Sequence, residues 1–339
     1  MTTPNQGLET TGIVDLGPIL TFHNSLLSKP TNELSTAQNH PAPIASTVLT
    51  DLIQAAVSPN TRRAYQSDLE HFLSWGGAVP ATPEILASYL AEFAGNLSVA
   101  TLTRRVASIS RAHTSQGLPS PTASDLVRTT LRGIRRTYGV TQRQVAPAVR
   151  EDILPMVQGL LGVRGLRDRS LLLLGFAGSF RRSELVGLDV EDLDFVDRGL
   201  LVNLRRSKTD QDGEGRKIAI PFARGAVCPV KSLLEWLEIA GIKSGPIFSP
   251  VNRHGDISGE RLTSHAVAVI VKERVAALGL DPAKYAGHSL RAGLITSAAA
   301  LGVPIWKLKA QSGHRSDAIL SRYIRDADLF TNNAAGAVL

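Results

Sequence analysis

The side chains best suited to chemistry lie near the C-terminus. His288 and Arg291 are three residues apart, with Gly287 and Gly293 on either side of them. On a helix this spacing places both side chains on one face, where they can reach the same anion. A lone pair of this kind is more often a polar pair on a helix surface, so its meaning depends on what accompanies it.

A tyrosine lies downstream of this pair in the sequence. Gly313-His314 comes after His288 and Arg291, and Tyr323 stands nine residues after His314. An isolated tyrosine is usually a half-buried aromatic, but a phenolate can also attack phosphorus. Because a free phenol has a pKa of about 10, such a reaction needs nearby cations that favour loss of the proton.

A second arginine lies upstream, one helical turn from a glutamate. Arg181 and Glu184 have this spacing, although Arg182 adjoins Arg181 and the spacing leaves the choice between the two arginines open. Two preorganised guanidinium groups can hold the non-bridging oxygens of a phosphodiester while charge builds on them. Together these residue types indicate phosphoryl transfer.

Composition narrows the class of protein. The 339 residues carry a net charge of +7, and residues 46–150 hold eleven Arg, no Lys and six acidic residues. Arginine forks across phosphate oxygens or a guanine edge, so this segment is expected to face DNA. One cysteine, Cys228, excludes an internal disulfide, and no zinc-ligand cluster or phosphate-binding G-x-x-x-x-G-K-[ST] loop is present.

Periodicity predicts a mainly α-helical chain with a small antiparallel sheet. Proline and serine residues mark helix starts at Ser58-Pro59, Pro83 and Ser98, whereas residues 200–204 and 217–220 have strand character around a polar turn. The predicted organisation is a flexible tail, a helical DNA-binding domain, a linker and a catalytic domain, over residues 1–45, 46–138, 139–149 and 150–339.

The order and spacing of these motifs resemble the tyrosine recombinase, or phage integrase, family over about residues 46–328. The family pattern is Arg, Lys on a hairpin, His-x-x-Arg, His or Trp, and Tyr. It falls on Arg181, Lys208, His288, Arg291, His314 and Tyr323. The family's Arg-x-x-Glu spacing favours Arg181 over Arg182 and includes Glu184.

The resemblance implies a role for each matched residue. Arg181 and Arg291 would hold the phosphate, and Tyr323 would attack it with help from His288. Lys208 would protonate the departing 5′ oxygen, although other basic residues lie near it in the hairpin. Supporting roles are expected for His314 and Glu184. A 3′-phosphotyrosine intermediate conserves the bond energy, so no cofactor, ATP or metal is expected.

The resemblance also predicts partners and assembly. Two protomers would bind double-stranded DNA at an inverted-repeat site, and two sites would meet in a homotetramer that exchanges strands through a four-way junction. Each protomer would form a C-shaped clamp, and residues 327–339 would pack on a neighbouring protomer. Exposed arginines are candidates for DNA contact, with a merely solvated face as the alternative: Arg62, Arg63, Arg104, Arg105, Arg132, Arg135, Arg136 and Arg182.

Two other functions fit the same motifs less well. A type IB topoisomerase-like enzyme would cut and reseal one strand without joining two sites. A silent DNA-binding protein would need none of the residues Tyr323, His288 and Lys208. The sequence has no signal segment and no apolar stretch of membrane-spanning length, so a cytoplasmic protein that associates with the nucleoid is expected.

Overall fold

The computed structural model describes residues 56–139, 145–205, 215–225, 227–314, 316–318, 320–321 and 323. The chain divides into two compact units, residues 1–143 and 144–339. The predicted tail, Lys208 and residues 327–339 lie outside the described residues. The division falls within the predicted linker, and Ala148 already belongs to the second unit, where its N–H donates to Ser289 O.

The described part of the first unit is helical. Its helices are α1 (Pro59–Ser74), α2 (Pro83–Glu92), α3 (Val99–Thr114) and α4 (Asp125–Tyr138), with a short 3₁₀ turn at Pro121–Ala123. A serine or threonine hydroxyl accepts a backbone N–H at the start of each helix, at Ser58, Thr82, Ser98 and Ser124. These caps satisfy amides that the first turn leaves unpaired.

The core of this unit lies between paired helices. Helix α1 packs on α3, and α2 packs on α4. Their inward faces supply a mixed aliphatic and aromatic core that includes Phe72, Leu86, Leu90, Leu102, Ile109 and Val127. Helix α4 turns only Val127, Leu131 and Ile134 inward, so the rest of its surface is open to solvent.

A buried polar network also lies in this core. Asp68 is buried and accepts two hydrogen bonds from Arg104, at 2.7 and 2.9 Å. Arg105 is buried as well, donates to Tyr89 Oη at 2.8 Å and lies against His71. The carboxylate thus compensates the charge of two adjacent arginines within the fold.

The second unit contains a three-stranded sheet among helices. The strands are β1 (Leu193–Val196), β2 (Gly199–Leu204) and β3 (Arg216–Pro221), in the order β1-β2-β3 with antiparallel pairing throughout. Leu204 is opposite Arg216 in the register, and residues 206–214, which connect β2 to β3, lie outside the described residues. The inward residues of β2 and β3 alternate with outward ones, as a half-buried sheet requires.

The helices of this unit precede and follow the sheet. Those whose bounds the structure describes are α5 (Arg150–Met156), α6 (Gly162–Ala177), α7 (Arg182–Gly187), α8 (Pro229–Ile239), α9 (Ser264–Ala277), α10 (Ser289–Ala300) and α11 (Ile305–Ser312). Helix α6 packs on both α8 and α10, and its leucines fill the main core. This confirms the predicted mainly α-helical fold with a small antiparallel sheet. No helix in the described part of the chain is long and apolar enough to cross a membrane.

Candidate active site

Arg291 is the most deeply buried of the predicted site residues. It lies in the first turn of α10, has no solvent exposure, and donates from Nη1 to Ser179 O at 2.7 Å. Its Nη2 lies 3.2 Å from His314. Burial, followed by the charge of Arg181, lowers the pKa of Arg291 to about 10, so the guanidinium is still charged at neutral pH. Its Nε is buried and has no hydrogen-bond partner among the described residues.

The carbonyl that accepts from Arg291 belongs to a strained residue. Ser179 is fully buried and has a φ of 50°, which places it in the left-handed region that non-glycine residues avoid. It lies in the turn between α6 and α7, directly before Phe180 and Arg181. This backbone turn aims the Ser179 carbonyl at Arg291 and starts α7 with Arg181 at its N-cap.

Arg181 and Glu184 form the second part of the site. Glu184 is buried, and its two oxygens accept from the backbone N–H and the guanidinium of Arg181. The carboxylate therefore caps α7 and fixes the arginine side chain at the same time. Arg182, the adjacent arginine, is exposed and packs over Gly287, where a Cβ would collide with its methylenes.

His288 and Tyr323 meet directly. Nε2 of His288 lies 3.2 Å from Oη of Tyr323, which is half-buried and has a helical backbone. Burial, followed by the charges of Arg291 and Arg181, lowers the pKa of His288 from 6.5 to about 4. The imidazole is therefore neutral at pH 7 and can accept the phenolic proton.

The hydrogen bonds of His314 define its tautomer. The hydroxyl proton of Ser312 goes to Leu308 O at 2.6 Å, so Ser312 Oγ accepts from Nδ1–H of His314 at 2.8 Å. Nη2 of Arg291 lies 3.2 Å from both ring nitrogens, and because Nδ1 carries the proton, only Nε2 can accept from it. Burial, followed by the charge of Arg291, lowers the pKa of His314 to about 3, which matches a neutral ring.

The structure adds an arginine that the sequence did not single out. Arg216 is the first residue of β3, and its Nη2 lies 3.7 Å from Glu184 Oε2. Nη1 donates to Gln311 O at 3.0 Å. The only sequence signal was a cluster of basic residues around the predicted hairpin. That signal does not show which of them point inward.

Glycines allow the close approaches on which the site depends. Gly313 ends α11 with a φ of 65°, and the Arg216 guanidinium lies where a Cβ would be. Gly293 faces the backbone of Ala148 in the same way. At Gly293 a side chain would meet backbone and force the elements apart, whereas at Gly313 the positive φ favours glycine and a side chain would displace the Arg216 guanidinium.

The site holds more positive than negative charge. The guanidinium groups are those of Arg181, Arg216 and Arg291, and Glu184 is the carboxylate among them. Both histidines are neutral at pH 7. Buried N–H groups without acceptors and a surplus of cations are the features of an anion site. The described residues contain no group of three or more His, Cys, Asp or Glu able to hold a metal ion.

The structure brings most of the sequence-predicted catalytic residues together. His288 contacts Tyr323, His314 lies next to both Arg291 and Tyr323, and Arg181 pairs with Glu184. The charge of Arg181 lowers the pKa of Arg291, so the pair lies beside the other four residues, although the six come from four separate segments of the chain. Lys208 lies outside the described residues. Sequence reasoning missed Arg216 as well as Ser179 and Ser312, which bind through a backbone carbonyl and a small hydroxyl without a sequence signature.

The arginines of the first unit are of two kinds. Arg62, Arg63, Arg132, Arg135 and Arg136 are exposed on the surface of their unit. Arg104 is about half exposed but paired to Asp68, and the Arg105 side chain is only 9% exposed. The burial of Arg105 within the polar network speaks against a role for it in DNA contact.

Comparisons with known proteins define the family. The model of the phage integrase family matches residues 148–329. The integrase/recombinase xerD homolog of Selenomonas ruminantium is 38% identical over 294 residues, which cover 83% of this chain and 86% of the relative. Recombinase cre of Escherichia phage P1 is 24% identical over 271 residues, covering 74% of this chain and 77% of the relative.

A solved structure shares the fold. The Tn1549 transposon integrase in complex with transposon right end DNA has a TM-score of 0.59 at 16% identity, over 81% of this chain and 92% of that chain. This shared fold agrees with the family match and with the similarity to the relative from Selenomonas ruminantium. The chain belongs to the phage integrase family and is a tyrosine recombinase, an enzyme of site-specific DNA recombination.

Proposed function

We propose that this recombinase cuts and rejoins double-stranded DNA through a covalent bond between Tyr323 and a 3′ phosphate. The observation that carries the proposal is the 3.2 Å contact between Tyr323 Oη and His288 Nε2, beside a buried surplus of guanidinium groups. A nucleophile, a neutral base and charge stabilisation for a phosphate are thereby present in one place.

The reaction balances as a transesterification. Tyr323 Oη forms a bond to phosphorus, and the bond from phosphorus to the 5′ oxygen breaks. His288, neutral at pH 7, takes the phenolic proton. The 5′ oxygen leaves as a hydroxyl after it gains a proton. Because one phosphodiester replaces another, the reverse reaction with a 5′ hydroxyl from a second strand rejoins DNA without ATP.

Arg181 and Arg291 are the groups that would stabilise the phosphate in the transition state. Arg291 is oriented by Ser179 O and His314, and Arg181 is oriented by Glu184. Such preorganised donors need little rearrangement when charge develops, which is the main source of their effect. His314 and Glu184 therefore act by orientation, and we expect smaller losses when they are replaced.

We assign the leaving-group proton to Lys208 on the basis of the family pattern. This residue lies outside the described residues, in the segment between β2 and β3. A lysine ammonium is a suitable general acid for a departing alkoxide. Six exposed arginines are proposed to contact the DNA backbone: Arg62, Arg63, Arg132, Arg135, Arg136 and Arg182. Arg104 is proposed to do so through any guanidinium donor that its pair with Asp68 leaves free.

The assembly follows from the need to join two sites. Two protomers on one DNA site obey a two-fold axis, which an inverted repeat matches. Two such sites supply four protomers, and exchange in two steps passes through a four-way junction. We propose that residues 327–339 contribute to contacts between protomers, so truncation after Asp328 should weaken assembly while binding of one protomer persists.

The first experiment tests the covalent step. DNA that flanks the protein's own coding region is labelled, nicked to trap cleavage, incubated with protein and run on denaturing gels. Wild type should form a slowly migrating covalent adduct that Tyr323→Phe does not form. Tyr285→Phe, a half-buried tyrosine of the same unit, is the matched control and should behave as wild type.

Each outcome separates the candidate functions. The recombinase is supported if wild type and Tyr285→Phe form the adduct and Tyr323→Phe does not, and if two labelled sites yield joined products. Adducts accompanied by loss of supercoils and no joined product would favour a relaxing enzyme. Specific DNA binding without an adduct would favour a silent binding protein, and an adduct with Tyr323→Phe would overturn the assignment of the nucleophile.

A further inference from the structure

Arg216 bridges the sheet and the helix that precedes His314. Its side chain leaves the first position of β3 and donates from Nη1 to Gln311 O at 3.0 Å and Ala310 O at 3.3 Å. Both carbonyls lie in the last turn of α11. A guanidinium is well placed there, since the C-terminal end of a helix carries partial negative charge and unpaired carbonyls.

A side chain of α11 makes the return connection to β3 and also reaches α6. Gln311, in α11, donates from Nε2 to Ala177 O at 2.8 Å and lies 3.5 Å from Ala219 O of β3. Arg216 and Gln311 with these carbonyls are called the β3–α11 clasp. It joins the end of α11, the start of β3 and the end of α6.

The clasp holds the segments that carry groups of the site. Ser312 and His314 follow Gln311 at the end of α11, and Ser179 follows Ala177 at the end of α6. Ser179 O and His314 are the two groups that orient Arg291. A shift of the α11 end relative to α6 would therefore move both partners of Arg291 apart.

The geometry of Arg216 indicates that it acts through its neighbours. Its Nη1 is committed to the carbonyls of Gln311 and Ala310, and its Nε and Nη2 are buried without a hydrogen-bond partner among the described residues. Nη2 faces Glu184 at 3.7 Å, which is an ion pair without a hydrogen bond. Burial also lowers the pKa of Arg216, and the charge of Arg181 lowers it further. A buried cation with unmet donors is costly, and a role in the site explains why one is present.

We infer that Arg216 is a positioning residue for the DNA-cutting reaction, because its bonds to the α11 carbonyls fix the Gly313–His314 turn against Arg291. This inference rests on the proposed function. It differs from the roles of Arg181 and Arg291, since Arg216 contacts the groups that orient a phosphate-binding arginine and not the phosphate itself.

The first test needs no DNA. Hydrogen exchange followed by mass spectrometry is measured on the full chain for peptides that cover residues 305–314, in wild type, Arg216→Met and Arg198→Met. Arg198 is an exposed arginine at the opposite end of the same sheet and provides the matched control. Arg216→Met should exchange at least about tenfold faster in this segment, because hydrogen bonds to a charged donor are lost. Unchanged exchange would overturn the inference whatever the protein does to DNA.

The second test is a double-mutant cycle on the cleavage site mapped with the nicked DNA. Arg216→Met alone should slow adduct formation by about tenfold to hundredfold. In a His314→Ala background the same substitution should slow it less than about threefold, since the two residues act in series. Equal slowing in both backgrounds would mean that Arg216 acts on the phosphate directly, and would overturn the positioning role.

A conservative variant covers the case in which Arg216→Met does not fold. Arg216→Lys retains the charge but cannot span both carbonyls and Glu184 with one ammonium. It should give exchange and cleavage between those of wild type and Arg216→Met, with normal DNA affinity. Wild-type rates in both assays would contradict the inference. If wild type itself forms no adduct, the proposed function is wrong. The hydrogen-exchange result then still tests whether Arg216 fixes the end of α11.

Discussion

Two regions of this protein bury arginines beside histidine and tyrosine, yet they differ in charge balance. In the first unit, Asp68 compensates Arg104 and Arg105, and Arg105 binds Tyr89. In the second unit, three guanidinium groups share one carboxylate, Glu184. A network that compensates its own charge serves the fold, whereas a surplus of buried cations is suited to binding an anion. Composition alone would not distinguish the two regions.

The largest expected difference between the two regions appears when one arginine in each is replaced with methionine. Arg105→Met leaves the buried polar groups around it without a partner, so the free energy of unfolding should fall by about 3 kcal/mol. Arg291→Met removes a cation from an uncompensated group. It should therefore lower stability less, but slow adduct formation by about a hundredfold to a thousandfold.

Urea unfolding and adduct assays on both variants check this contrast. Similar losses of stability in the two variants would show that the charges of the active site are compensated within the fold as fully as those of the polar network. The comparison between the two regions would then be wrong.

The next effect is the pH dependence of stability. The pKa values of His288 and His314 fall from 6.5 to about 4 and about 3 on folding. Between pH 6.5 and pH 4 the unfolded chain therefore binds more protons than the folded chain, and stability falls as pH falls through this window. Because His288 is only partly buried, its contribution is screened by solvent, and we expect a loss of only about 1 to 2 kcal/mol from pH 7 to pH 5.

Chemical unfolding at several pH values measures this slope. The double variant His288→Gln/His314→Gln should flatten it, whereas His265→Gln, at an exposed histidine on α9, should not. A slope that persists in the double variant would assign the protons to other groups, such as His71, whose pKa is also lowered by burial and by Arg105.

The smallest effect concerns backbone strain. Ser179 is the only non-glycine residue with a positive φ among the described residues, and it belongs to the site. Ser179→Gly removes the strain and should raise the free energy of unfolding by about 0.5 kcal/mol, after the added entropy of the unfolded chain is deducted. Ser170→Gly, at a buried serine within α6, is the control and should lower it. Thermal unfolding compares the two, and a loss of stability in both would show that Ser179 is unstrained.

Local rules predicted much of the fold. Helix starts at Ser58, Pro83 and Ser98 were predicted from capping residues and first-turn prolines, and the structure confirms helices there. The strands around the hairpin were predicted from their β-branched and apolar residues. These features depend on neighbours in sequence, so a single sequence carries the information.

The arginines show where such rules end. The adjacent pairs Arg104-Arg105 and Arg181-Arg182 look alike in sequence, yet in each pair one member is more buried than the other. The difference depends on which face of a helix or turn meets the core. Only the resemblance to a family chose Arg181 over Arg182 before the structure was known.

The sequence by itself determined the residue types, their order and the family to which the chain belongs, because these are properties of a linear pattern. Tertiary structure decided that Arg216 faces Glu184 and α11, that Ser179 presents a carbonyl to Arg291, and that Ser312 selects the tautomer of His314. Such contacts join segments far apart in the chain through backbone carbonyls and small hydroxyls. Almost any residue carries a suitable carbonyl, so packing alone specifies which one is used.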